Sequence, residues 1–168
     1  MALEVRVEEV AEAALPGVDY RWDADTDILV ATLRATAVSE GLNGSIDIEG
    51  GDGAWLTLEL SGGRLSAVEV AVWPDVKTVP TLPLPEGIAA GRMHVPQRRS
   101  DAGLAAVEVE ARIRAVADAP EQTIHFRVGP TRATRTVRVA RDLLLELDGK
   151  SHIAGLWFLN VPPFPTPP

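Results

Sequence analysis

VEVEARIRAV, residues 107–116, alternates apolar and charged side chains for most of its length. Val107, Val109, Ala111, Ile113 and Ala115 take the odd positions, and Glu108, Glu110, Arg112 and Arg114 the even ones. Wound into a helix at about 100° per residue, the four charges would fall on two opposite sides. As an extended strand they share one face and leave the other free to pack. The stretch predicts one half-buried β-strand and sets the expectation for the whole chain.

Working outward, the same alternation predicts strands near residues 20–22, 28–33, 45–49, 55–60 and 65–73. Later strands are expected near 92–95, 123–128, 136–140, 143–147 and 153–159. Glycine turns separate several of them: GGDG at 50–53, SGG at 61–63 and DGK at 148–150. Only the N-terminus has a helical stripe, Leu3, Val7, Val10, Ala11 and Ala14, stopped by Pro16-Gly17. Leu3-Val5-Val7 also alternates, so a strand competes there with a short helix. Residues 74–103 hold five prolines, Pro74, Pro80, Pro83, Pro85 and Pro96. They rule out a continuous helix or a central strand and predict a long crossover with one edge strand near 91–95.

Composition bounds the functional classes. A chain of 168 residues with 46% hydrophobic content fits one domain, or two small halves sharing a core. No apolar run reaches the length needed to span a bilayer, and the acidic N-terminus does not read as a signal peptide. With no cysteine, thiol catalysis and thiolate metal sites are absent, and a cytoplasmic protein is expected. The net charge of −8 argues against nucleic-acid binding. Residues 1–90 hold 16 acidic and 5 basic groups, and residues 91–168 hold 8 and 11, so the halves carry −11 and +3.

Self-comparison suggests a degenerate tandem duplication. WLTLELSGGRLSAVEVAVWP at 55–74 resembles DLLLELDGKSHIAGLWFLNVP at 142–162. Leu58-Glu59-Leu60 recurs as Leu145-Glu146-Leu147, and Leu65 matches Ile153. Upstream, Tyr20 and Trp22 are aligned with Ile124 and Phe126, and Pro16 with Pro120. The expected division is a first β repeat at 1–76, a Pro-rich crossover at 77–104, a second repeat at 105–162 and a Pro-rich tail at 163–168. The fold expected is mainly β: two related antiparallel units packed as one sandwich or barrel, with at most one short N-terminal helix.

The first copy resembles a family of small bacterial domains of unknown function, numbered 2283. Tyr20-Arg21-Trp22-Asp23-Ala24-Asp25-Thr26-Asp27-Ile28-Leu29 is similar to its Tyr-Asp-x-x-x-Asp-x-Leu opening. Gly62-Gly63-Arg64-Leu65-Ser66-Ala67-Val68-Glu69-Val70 is similar to its closing strand, with Ala67 where glycine is usual. The second copy, aligned through FRVGPTRATRTV, lacks the acidic opening. The resemblance implies a small, mostly antiparallel β unit and supplies no catalytic residue.

Asp23, Asp25 and Asp27 look at first like a calcium loop. Counted from Asp23, the sixth position is Ile28 and the twelfth Arg34, where an EF-hand needs glycine and glutamate. An Asx turn before a strand explains them without a ligand. His94, His125 and His152 match no zinc spacing. Arg127, Arg132, Arg135, Arg138 and Arg141 form a basic cluster suited to surface charge or to an anion. VPPFPTPP at the C-terminus is either a polyproline ligand or a strap over an apolar surface.

Two functions fit these features. One is a non-enzymatic cytoplasmic binding or assembly module that self-associates. The other is a small β-barrel enzyme or carrier for an apolar or anionic small molecule. Its pocket would be lined by Trp22, Trp55, Trp73 and Trp157, with His94, Arg98 and Arg99 orienting the ligand. The sequence assigns no catalytic residue and leaves open whether the protein is an enzyme; no cofactor, metal, nucleic-acid partner or membrane partner is expected.

Overall fold

The computed structural model describes residues 4–34, 43–95 and 104–165. Its elements are β1 (Arg6–Glu9), a single 3-10 turn (Glu12–Ala14), β2 (Val18–Trp22), β3 (Leu29–Leu33), β4 (Asn43–Glu49), β5 (Trp55–Ser61) and β6 (Arg64–Val72). There follow β7 (Val76–Val79), β8 (Ala89–His94), β9 (Leu104–Glu110), β10 (Ile113–Asp118), β11 (Ile124–Val128), β12 (Thr134–Ala140), β13 (Leu143–Asp148) and β14 (Ile153–Phe158). The protein is mainly β, as its alternation predicts, and the strands form a curled, mixed sheet shaped as a half-barrel.

Two five-stranded blocks carry the sheet, and their strand orders coincide. The first runs β2-β3-β6-β5-β4 and the second β10-β11-β14-β13-β12. In order of appearance, both read first, second, fifth, fourth, third. Every pairing inside a block is antiparallel, as expected. The three parallel pairings, β4 with β9, β7 with β10 and β8 with β12, are made by the strands that lie between the blocks.

Register sharpens the comparison. Adding 95 to each residue of the β2–β3 hairpin gives the β10–β11 hairpin with the same partners: Val18–Leu33 becomes Ile113–Val128, and Trp22–Leu29 becomes Ala117–Ile124. By position in the sheet, Tyr20 and Trp22 therefore correspond to Ala115 and Ala117, not to Ile124 and Phe126. The alignment read from sequence slips there by one strand, because aromatic spacing outweighed hairpin length. Over β5–β6 and β13–β14 the sequence match and the sheet agree. Each pair has a register shift at the same place, after Glu59 and after Glu146.

Three expectations need correction. The N-terminal alternation wins over the helical stripe: β1 pairs with β8, and only one 3-10 turn follows. The single strand expected at 107–116 is two, broken at Ala111-Arg112. The Ala111 N–H still donates to Glu49 O, while Arg112 O already accepts from Gly129 N–H. Alternation defines which face is buried, but not which block the strand joins. The crossover holds two strands rather than one edge strand. β7 is a true edge, whereas β8 lies between β1 and β12.

The inner faces of both blocks share one core. Leu56, Leu58, Val68 and Val70 of the first block meet Leu145, Leu147, Leu156 and Phe158 of the second, all essentially inaccessible to solvent. Each such side chain contributes roughly 1.5–3 kcal/mol. Tyr20 stitches the blocks together: its hydroxyl donates to Asp142 O at 2.7 Å and accepts from Leu159 N–H at 3.1 Å. Burial pushes that hydroxyl's pKa well up. The second block is also covered outside, where Leu82 and Ile88 of the crossover pack on Leu144, Trp157 and Leu159.

Candidate functional site

β2, β3 and β6 are adjacent, and their two ends open onto different surfaces. At one end, Trp22 closes β2 and Trp73 follows β6. Their rings stack with centroids 5.6 Å apart and planes 18° from parallel. Phe164 of the tail meets Trp22 edge-on at 5.2 Å, and Trp73 leans on Phe126. Both indole N–H groups are spent internally, Trp22 Nε1 on Pro162 O at 2.9 Å and Trp73 Nε1 on Asp27 O at 2.7 Å. The rings are thereby fixed and offer only apolar surface. They line a groove of about 520 Å³ together with Val76, Ile124 and Pro163, while Asp27 and Glu121 stand at its edge. Val76 and Phe164 are exposed within it.

The tail is thus a strap over an apolar surface up to Pro165, the last residue described. Asp27, the last of the three aspartates, lines the same groove. The Asp23 carboxylate accepts from Asp25 N–H at 3.0 Å, and the Asp27 N–H donates to Asp23 O, with Asp27 in the left-handed region at φ +61°. This is an Asx turn. The Asp25 N–H donation, helped by Thr26, holds the Asp23 carboxyl below its usual pKa. Its counterpart exists in the second block, where Asp118 Oδ1 accepts from Gln122 N–H and Thr123 N–H. The second block does have an acid at this turn, which the slipped alignment hid.

At the opposite end of the same strands lies a cleft of about 340 Å³ between the blocks. Four arginines line it: Arg34 after β3, Arg64 at the start of β6, Arg92 on β8 and Arg141 in the β12–β13 turn. Arg34 pairs with Asp19 at 3.1 Å, and Arg92 lies 3.9 Å from Glu8. Arg64 and Arg141 have no carboxylate within 4 Å among the described residues.

A third feature sits on the outer face of the second block. His125 stacks on Trp157 with centroids 4.1 Å apart. The Glu146 carboxylate accepts from His125 Nε2, from Trp157 Nε1 at 3.1 Å and from Thr134 Oγ1 at 3.2 Å. Burial alone would raise the Glu146 pKa, but the His125 hydrogen bond and charge outweigh it and lower it. A side chain at Gly155 would occupy the carboxylate's place, so the glycine makes room for it. His125 and Glu146 are each 9% exposed and every one of these bonds is internal, so the group braces the sheet.

Of the residues expected to share a pocket, Trp22 and Trp73 do. Trp157 faces the outer side of the second block. Trp55 lies on the outer side of the first, where its Nε1 donates to Thr57 Oγ1 at 3.1 Å. His94 pairs along β8 with Arg6 and Arg64, away from the groove. Arg98 and Arg99 lie outside the described residues. Of the basic cluster, Arg132 pairs with Asp148 at 2.9 Å and Arg127 bonds Thr131, and only Arg141 reaches the cleft. No three His, Asp or Glu side chains among the described residues group to hold a metal, and no helix among them is long and apolar enough to cross a membrane.

No protein-family model matches the chain, and a search of curated proteins finds no match. The resemblance to the family numbered 2283 therefore rests on the quoted residues alone.

Proposed function

We propose that the protein is a non-enzymatic binding module of the cytoplasm that holds a small, uncharged, flat-ringed molecule in the Trp22–Trp73 groove. The observation that carries this reading is the pair of stacked indoles whose N–H groups are already satisfied by main-chain carbonyls. Such rings recognise apolar and aromatic surface rather than hydrogen-bonding groups. The groove's volume falls within the range of small-molecule sites. Asp27 and Glu121 at the rim disfavour an anion there. The His125–Glu146 pair is not read as catalytic, because its polar atoms are committed within the sheet.

The module reading extends to the chain's organisation. The two blocks are degenerate copies of one unit, supported by their common strand order, hairpin register and bulge position. The groove then lies where the β2–β3 and β10–β11 hairpin tips of the two copies approach each other.

N-phenyl-1-naphthylamine, a neutral apolar fluorophore, tests the reading directly. Its emission should rise saturably with the protein and fall at least tenfold in apparent affinity for Val76→Glu, which adds a charge at an exposed groove position. Unsaturable emission, or equal binding by the variant, would refute it. Self-association is a second reading, favoured by the exposed Val76 and Phe164 on this surface. Light scattering separates the two: a dimer that Val76→Glu dissociates would assign the surface to a second copy.

A further inference from the structure

We infer that the cleft lined by Arg34, Arg64, Arg92 and Arg141 is an anion-binding site for a small molecule carrying two or more carboxylate or phosphate groups. The inference goes beyond the apolar groove and concerns the other end of the same strands. Its basis is a juxtaposition that no stretch of sequence contains. Arg34 and Arg64 come from the first block, Arg141 from the second, and Arg92 from the strand between them. In a protein of net charge −8, four guanidinium-bearing residues converge on one concave surface with no acidic residue among those lining it.

The local charge balance is decisive. Asp19 and Glu8 each partner one arginine, the latter only at 3.9 Å, and both are largely solvent-exposed. Exposed pairs of this kind are weak, so they leave the guanidiniums available to exchange partners. Arg64 and Arg141 have no such partner among the described residues. Among the described residues, the cleft therefore holds about two positive charges more than its acidic neighbours neutralise. Like charges gathered in a cleft repel one another unless an anion sits between them.

The guanidinium fork suits carboxylate and phosphate oxygens, to which it donates two parallel N–H bonds. Ser61 and Ser66 also line the cleft and can supply hydroxyl donors. Leu33, Leu65, Met93 and Val139 form its apolar part, which lowers the local dielectric and strengthens each charge-assisted bond. Four guanidinium forks from separate elements offer more paired donors than a single oxyanion fully uses. A ligand with two or more anionic groups uses more of them. At about 340 Å³, the volume admits a tricarboxylate or a pyrophosphate.

Isothermal titration calorimetry with citrate and with pyrophosphate tests the site, using the full chain at fixed ionic strength with sodium sulfate as the single-oxyanion reference. Saturable binding of citrate or pyrophosphate, tighter than sulfate, is expected, and which one binds tighter identifies carboxylate or phosphate as the preferred group. Arg64→Gln and Arg141→Gln should each weaken it about tenfold, since each removes charge-assisted hydrogen bonds. Arg114→Gln, at an exposed position of β10 outside the cleft, should leave it unchanged. Both cleft residues are exposed, so the variants retain the fold, and matching circular dichroism melts would verify that. Binding that Arg64→Gln and Arg141→Gln leave intact, binding no tighter than sulfate, or no saturable heat would overturn the inference.

Discussion

Replacing Gly155 by alanine discriminates between two opposite physical expectations. In an ordinary strand, glycine to alanine stabilises by about 0.4–1 kcal/mol, because the unfolded chain loses freedom. At Gly155, in the middle of β14, an added methyl would sit on the Glu146 carboxylate and 2.8 Å from the Phe126 carbonyl oxygen. The carbonyl belongs to the neighbouring strand β11 and cannot swing aside, so the carboxylate must leave its contacts with His125, Trp157 and Thr134. Overpacking costs about 1–3 kcal/mol, and weakened bonds to a charged acceptor add about 1–2 kcal/mol. A net loss of about 2–4 kcal/mol corresponds to roughly 5–15 °C in Tm for a chain of this size. Gly149→Ala is the control, since no atom lies within 4 Å of its added methyl. Paired thermal melts followed by circular dichroism give the answer. If Gly155→Ala melts within about 1 °C of Gly149→Ala, the crowded brace around Glu146 is refuted.

Acid should destabilise the protein through the second block. Glu146 and Asp148 both titrate lower folded than unfolded, so their stabilisation is complete above about pH 5 and is lost as pH falls through the folded values. Burial would raise Asp148, but N–H donation from His152 and Lys150 and the Arg132 guanidinium hold it at about 2. Its share is at most about 2 kcal/mol after allowing for solvent screening. Urea unfolding at several pH values should therefore show Asp148→Asn flattening the slope between about pH 4 and 2; an unchanged slope counts against this assignment. Tyr20→Phe removes the hydroxyl bridging the blocks and should cost about 1 kcal/mol, or about 2–4 °C in Tm. A melt equal to wild type would mean that the bridge does not tie the blocks together.

Much of this architecture is legible in the sequence, and the misses have physical causes. Alternation identified strands such as β3, β5 and β10, whose one face is buried, whereas β13 and β14 are buried on both; Leu58-Glu59-Leu60 against Leu145-Glu146-Leu147 located strands at equivalent places in the sheet. It did not reveal that Ala111-Arg112 is where the chain changes blocks, since pairing partners leave no mark on alternation. Trp55 and Trp157 were separable by parity alone: with Leu56 and Leu156 directed inward, their neighbours must face out. Trp22 and Trp73 meet because β2 and β6 both flank β3, a fact of topology. The buried Glu146 had a signal, the one carboxylate among leucines in residues 143–147, but its partner His125 had none. The four cleft arginines are widely separated in sequence, and only the folded sheet gathers them.

The central claim, that ligand meets the Trp22–Trp73 groove, is tested most directly by the four indole N–H resonances of the ¹⁵N-labelled protein during titration with N-phenyl-1-naphthylamine. Trp22 and Trp73 report on the groove, whereas Trp55 and Trp157 sit on the two outer faces and serve as internal references. The account predicts saturable shifts of the Trp22 and Trp73 signals with Trp55 and Trp157 unmoved. Saturable shifts confined to Trp55 or Trp157, or no saturable shift in any of the four, would contradict it.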